Sequence, residues 1–140
     1  MENWIIYAIL SMVFAGLTAV LAKFGIQNIH PDLGLGIRTS VIFAAISVIV
    51  LIGDKFKDIS QITSKQLLFL VASGLTTTLS WLFYYRAIKV GPVSYIAAID
   101  KGSVVITLAL SFILLKEPVS PKIIIGTAMI LGGMLVLIWK

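Results

Sequence analysis

Five long apolar runs, each close to the length of a membrane crossing, limit what this chain can fold into. They cover about Trp4–Lys23, Leu33–Gly53, Leu67–Ile88, Pro92–Leu115 and Pro121–Trp139. Crossing about 30 Å of hydrocarbon takes roughly 20 mostly apolar residues in a helix. Lipid offers no partner to a backbone N–H or C=O, and a helix satisfies both internally. Only short polar breaks separate the runs in a chain of 140 residues. Its hydrophobic share is 59% and its charged share 12%, with a mean hydropathy of +1.08. Soluble domains hold roughly 45–50% and about 25%, and none of this size has an interior large enough for the difference. The expected fold is an all-α integral membrane domain over residues 1–140, with five transmembrane helices and no further soluble domain. The first run lacks a positive segment before it and is too long for a signal-peptide core, so it reads as a retained helix.

The breaks have local causes. Gly25 and the His30-Pro31 pair interrupt the chain after the first run, and His30 is expected in a solvated loop. Residues 53–65, GDKFKDISQITSK, form a polar linker of alternating charge. Thr63 followed by Gln66 fits a capping box, in which each side chain satisfies the other's free backbone N–H. Gly91-Pro92 and Ser120-Pro121 put proline at the first helical position, where its fixed φ and missing N–H cost nothing. Trp4, Tyr84, Tyr85 and Trp139 fall near span ends, where aromatic rings favour the headgroup level.

The net charge of +5 does not point to nucleic acid, because the basic residues stand singly between apolar runs and form no stripe. With no cysteine and one histidine, neither disulfides nor a metal centre is expected. No cofactor is implied. The distribution of cations between the loops is more informative. With five spans, Lys55, Lys57, Lys65, Lys116 and Lys122 share one side, while Lys23, Arg38, Arg86, Lys89 and Lys140 share the other. Lys/Arg bias sets orientation, so an even division permits insertion both ways round. One reading is a dual-topology chain that pairs antiparallel with itself, and the other is a weak chance bias.

Polar residues recur at helical spacing inside the spans. Ser11, Ala15, Thr18 and Ala22 share a face of the first, and Gly126 and Gly133 lie seven apart on the fifth. Small residues let helix backbones approach closely in lipid, which explains both stripes as packing. Ser73, Thr77, Ser80 and Tyr84 form a face of the third span, and Asp100, Ser103, Thr107 and Ser111 one of the fourth. These carry larger polar groups, which packing does not require and a water-accessible pathway does. Trp81 reads either as a lipid-facing anchor or as a wall against a flat or cationic solute.

Asp100 and Lys101 are the strongest anomaly. In a helix starting at Pro92, Asp100 lies about 12 Å along the axis, within hydrocarbon depth, where each charge costs at least ~2.5–3.5 kcal/mol. Adjacent residues point about 100° apart, so the two are not expected to neutralise each other. Lys23, Arg38 and Arg86 are the candidate partners on other helices. Either the charges fix helix register, or they bind a charged solute or a coupling proton.

The run YYRAIKVGPVSYIAAIDKGSVVITLALSFILLKEPVSPKIIIGTAMILGGMLVL resembles the second half of a repeat of the EamA-like family, in the drug/metabolite transporter superfamily. AKFGIQN and IRTSV in the first half also fit. The most specific part runs from Arg86-Ala87 to Val105, and the pattern is similar to small bacterial members with a single five-helix repeat. Two departures bear on local packing and on the fourth loop. Gly102 follows Lys101 where similar sequences carry a larger apolar residue, and Lys116-Glu117 stands where Gly-Glu is usual. The resemblance implies a multi-pass carrier of small molecules. Larger relatives have ten helices as two inverted repeats with the solute between them, so one five-helix copy would have to dimerise.

The reading is therefore a half-transporter of the inner cell membrane, a homodimer working by alternating access and open to proton or ion coupling. Its pathway is expected at Asp100, Lys101, Ser103, Thr107, Ser80, Trp81 and Tyr84, with Lys23, Arg38 and Arg86 as supporting charges. Its partners are a small solute and the lipid bilayer. The alternative is a non-transporting assembly or regulatory subunit whose charges are structural. No nucleophile–base motif, metal cluster or phosphate loop marks an enzyme.

Overall fold

The computed structural model describes residues 3–139, so Lys140, one of the counted cations, lies outside the described residues. All regular structure among these residues is helical. Five helical stretches are long and apolar enough to cross a membrane, and these define a multi-pass membrane protein. The chain divides into two compact units, residues 1–90 and 91–140.

In the first unit, α1 (Asn3–Gly25) and α2 (Pro31–Ile52) are followed by a short 3₁₀ helix (Lys55–Gln61) and by α3 (Ser64–Val90). At 1.5 Å per residue, the 23 residues of α1 rise about 35 Å. Start signals act where the sequence places them. The Thr63 N–H donates to Gln66 Oε1 at 2.9 Å and the Gln66 N–H to Thr63 Oγ1 at 3.3 Å, completing the capping box of α3. Pro31 opens α2, and His30, exposed as expected, also caps it by accepting the Asp32 N–H on Nδ1 at 3.3 Å. The polar linker is not featureless: Asp54 turns the chain with φ 53°, pairs with Lys57, and starts the 3₁₀ helix.

α3 packs on both α1 and α2. The buried core is small: Ala19, Ala22, Ile26, Leu35, Tyr85 and Ile88. Of the small-residue stripe on α1, Ala22 is buried and Ser11 and Ala15 are exposed, so the stripe packs only at its C-terminal end. Tyr85, placed at the interface by its position in the run, is 3% exposed and belongs to this core. The many exposed Leu, Ile, Val and Phe side chains along every span form the surface that lipid covers. In water such a surface would aggregate.

In the second unit the fourth span is a composite. It comprises α4 (Val93–Asp100), α5 (Ser103–Leu110) and a widened π turn (Ser111–Leu115), followed by α6 (Pro121–Ile138). Pro92 is the cap of α4 with ψ 132°, one residue outside the helix it was expected to begin. Pro121 does occupy the first turn of α6, whose cap Ser120 accepts the Lys122 N–H at 3.3 Å. α6 packs against α4. Gly126 sits on its half-covered face with Leu131 and Met134, whereas Gly133 is exposed, so the two glycines do not form one packing seam.

Lys116 ends the π turn with φ 55°, the left-handed region, and the Glu117 N–H closes back on the Ser111 carbonyl at 3.3 Å. A Cβ in that region costs about 1–2 kcal/mol, and glycine avoids it. Lys116→Gly should therefore stabilise the chain by up to about 1 kcal/mol, once the extra backbone freedom of unfolded glycine is subtracted. A higher midpoint of thermal unfolding in detergent would show it, and a lower one would mean that the Lys116 side chain contributes more than its strain costs.

Candidate functional site

The polar groups of the first unit gather where three helix ends meet. The Lys23 ammonium donates to the carbonyl of Ile88 at 2.5 Å, so the C-terminal ends of α1 and α3 lie together. Arg86 near the end of α3 pairs with Asp32 in the first turn of α2, so α2 runs opposite to α3. The charges complement the backbone dipoles. The acid stands at the positive N-terminus of α2 and the lysines at the negative C-termini of α1 and α3.

The two lysines reach across reciprocally. Lys89 of α3 donates to the carbonyls of Ile26, Gln27 and Ile29 at 2.6, 2.7 and 3.0 Å, using all three ammonium protons on the turn after α1. Lys23 of α1 does the same for the carbonyls that end α3. Arg86 contributes a fork, its Nε and Nη2 lying 3.0 and 2.8 Å from the two Asp32 oxygens. Carbonyls that no longer have helical partners are thereby satisfied within the protein. Lys89→Met should cost about 1–2 kcal/mol, the upper range for a cation at a helix C-terminus. Hydrogen exchange of residues 24–30 would detect the loosened turn, and unchanged protection there would remove Lys89 from this role.

Two cavities adjoin this junction. One of about 850 Å³ lies between α2 and α3, walled by Thr39, Ser40, Ser73, Thr77, Thr78 and Trp81, with Asp32 at its rim. Thr39, Ser40, Thr77 and Thr78 donate their hydroxyl protons to carbonyls of their own helices, at 2.8, 3.1, 2.8 and 2.9 Å. The wall thus offers acceptor oxygens. Of the stripe expected on α3, Ser73 and Thr77 line this cavity, and the line continues to Trp81 rather than to Ser80 and Tyr84. Trp81 carries the Arg38 guanidinium, whose Cζ is 3.9 Å from the ring centroid and 5.9 Å from that of Tyr85. The second cavity, about 360 Å³, lies among α1, α2 and α3 and includes Arg38 and Tyr85 in its wall.

In the second unit, Asp100 and Lys101 stand at a break in the fourth span, where continuous helix is expected from the apolar run. The N–H groups of Lys101, Gly102, Val104 and Val105 donate to residues three back, at 3.2, 2.8, 3.1 and 3.1 Å. The backbone there is tightened into a 3₁₀ turn, with ψ of −14° at Lys101 and −21° at Gly102. Glycine suits the turn because a Cβ would lie 3.0 Å from the Ile99 carbonyl and 3.1 Å from Met134 Sδ of α6. The unusual Gly102 is thus fitted to a close approach.

The expectation that adjacent Asp100 and Lys101 would not neutralise each other is corrected by this geometry. Lys101 Nζ lies 3.6 Å from Asp100 Oδ2, with the two side chains 60% and 41% exposed. The long lysine stem bends back across the offset that separates the Cβ atoms. Ser103 and Thr107 continue an exposed face, and Ser111 is half-buried where the π turn begins. The three cations proposed as partners have engagements in the first unit: Lys23 with carbonyls, Arg86 with Asp32 and Arg38 with Trp81. Asp32 and the Lys89 clasp were missed by sequence reasoning. An aspartate two residues after a cap and a lysine in a last turn were the available signals, and both are common.

Among the described residues no group of three or more His, Cys, Asp or Glu could hold a metal ion. Comparison with known proteins supplies the class. The EamA-like transporter family matches residues 2–139. A Sinorhizobium sp. protein named "Uncharacterized transporter in cobO 3′ region" is 39% identical over 136 residues, covering 97% of this chain and 96% of that one. An uncharacterized protein of Methanocaldococcus jannaschii is 28% identical over 137 residues, covering 98% and 97%. No solved structure matches the chain. Five membrane-length helices and a family match over nearly every residue lead to one conclusion: this chain belongs to the EamA-like transporter family of the drug/metabolite transporter superfamily.

Proposed function

We propose that this chain is a half-transporter of the inner cell membrane, moving a small solute by alternating access as a homodimer. The observation that carries this reading is the break in the fourth span at Asp100–Gly102, where an exposed acid and base coincide with a change of helical winding. Ionisable groups at membrane depth mark solute and ion pathways. A 3₁₀ turn within a helix marks a hinge. Coincidence of the two is what alternating access requires: a binding group whose surroundings rearrange as α4 and α5 change their relative tilt. Ser103 and Thr107 extend the pathway from the turn within the second unit, and Ser80, Trp81 and Tyr84 are a polar face of α3 proposed to serve the solute in the first. Asp100 binds a cationic part of the solute or a coupling proton, and Lys101 neutralises the site when it is empty.

Dimerisation supports a complete carrier because substrate sites in this architecture lie between two repeats. The balanced cations further support antiparallel pairing, with copies inserted in both orientations. A screen of small solutes for thermal stabilisation of the purified protein, followed by flux of the best one into reconstituted liposomes, tests the proposal. The expected result is saturable flux above protein-free vesicles, and flux no greater than theirs would overturn it. Reporter fusions at the C-terminus are expected to show both orientations. A single uniform orientation would exclude the antiparallel dimer and leave transport itself standing.

A further inference from the structure

We infer that the smaller cavity of the first unit binds an amphipathic organic monoanion whose oxyanion pairs with Arg38. Such binding does not depend on transport, since the anion would occupy this site whether or not it is carried across. Arg38 stands seven residues into α2, about 10 Å from its start at 1.5 Å per residue. A cation at that depth is costly and calls for compensation. Among the described residues no carboxylate forms an ion pair with Arg38, and Asp32 of the same helix is engaged by Arg86. Nor do the described residues supply a hydrogen-bond acceptor for its guanidinium; its contacts are the faces of Trp81 and Tyr85.

Stacking and pairing use different parts of the group. At 3.9 Å from the ring centroid the guanidinium carbon lies over Trp81, and a cation–π contact of this kind provides no acceptor for the N–H groups. Those N–H groups form the fork that donates two parallel hydrogen bonds to a carboxylate or phosphate. The cavity supplies the rest of the ligand's environment. Its volume of about 360 Å³ is lined by Leu21, Ile26, Ile29 and Ile37, and Arg38 is the single charged residue in its lining. Thr18 has already given its proton to the Phe14 carbonyl, at 2.7 Å. One cation at the end of an apolar wall fits a short alkyl acid. A cationic ligand would instead meet the like charge of Arg38.

The oxyanion has two possible sources, a free carboxylate or the phosphate of a lipid headgroup. Titration calorimetry of the full chain in neutral maltoside micelles, with octanoate, octylammonium and octanol as probes, tests the site. Saturable binding of octanoate, at least tenfold tighter than either other probe, is expected in the wild-type protein. Arg38→Gln should weaken octanoate at least tenfold. Arg38→Lys should also weaken it, since the charge remains but the fork does not. Absence of saturable octanoate binding, equal binding of octylammonium or octanol, or wild-type affinity in Arg38→Gln would each overturn the inference. Should that variant not fold, the charge selectivity of the wild type decides alone. Repeating the titration in phosphatidylcholine nanodiscs, with and without phosphatidylglycerol, separates the sources. Loss of octanoate binding only with phosphatidylglycerol identifies a lipid phosphate as occupant, and equal binding in both identifies a free acid.

Discussion

Asp100→Asn is expected to reduce solute flux in reconstituted liposomes by roughly ten- to hundredfold. Asparagine keeps the size of the side chain and its place at the end of α4, and removes only the charge and the ability to give up a proton. A hydrogen bond to a charged group contributes about 1.5–3 kcal/mol, and each 1.4 kcal/mol is a factor of ten in binding. The fold should survive the change. Lys101 loses the carboxylate 3.6 Å away, but its long stem lets the ammonium reach a more polar level. The variant should therefore melt close to the wild type in detergent while failing to transport. Asp100→Glu, which restores the charge one methylene further out, should recover part of the flux. Wild-type flux in Asp100→Asn would remove the carboxylate from the mechanism and return the pair to a role in helix register.

What could be read from residues alone, and what could not, divides along the range of the forces involved. The spans were legible because lipid imposes a minimum apolar length on each of them. The starts of α3 and α6 were legible because caps act over two or three residues, as at Thr63–Gln66 and Ser120–Pro121, whereas α2 opens at Pro31, two residues before the expected Leu33. The break at Asp100–Gly102 was not legible. Its sequence is apolar on both sides, and the feature that accompanies the tight turn, contact of Gly102 with Met134, joins residues 32 positions apart. The Asp32–Arg86 fork and the Lys23 and Lys89 clasps span 54 to 66 positions. They depend on which helix ends converge, which spacing along a single helix does not encode. Arg38 and Trp81 were each singled out by type, and their stacking emerged only once α2 and α3 were set side by side.

The convergence of helix ends also sets the largest stability effect expected in the first unit. Gly34→Ala should destabilise the chain by about 1–3 kcal/mol, the usual cost of overpacking a fitted site. A Cβ at Gly34 would stand 2.6 Å from Ile26 Cγ2 and 3.4 Å from Ile29 Cδ1. Ile26 has little freedom to withdraw: it is 2% exposed, and its carbonyl is held by the Lys89 ammonium at 2.6 Å. Relief therefore requires the turn between α1 and α2 to shift, which strains the same carbonyls that Lys89 clasps. Gly36, two residues on in the same helix, is the internal control, because a Cβ there meets nothing within 4 Å. Gly36→Ala should be neutral or stabilise by up to ~1 kcal/mol, the difference in helix propensity between glycine and alanine. Thermal unfolding of the two variants in detergent should move in opposite directions. Equal destabilisation would mean that loss of glycine flexibility in α2 is the common cause, and a Gly34→Ala variant as stable as the wild type would show that Ile26 and its turn can give way.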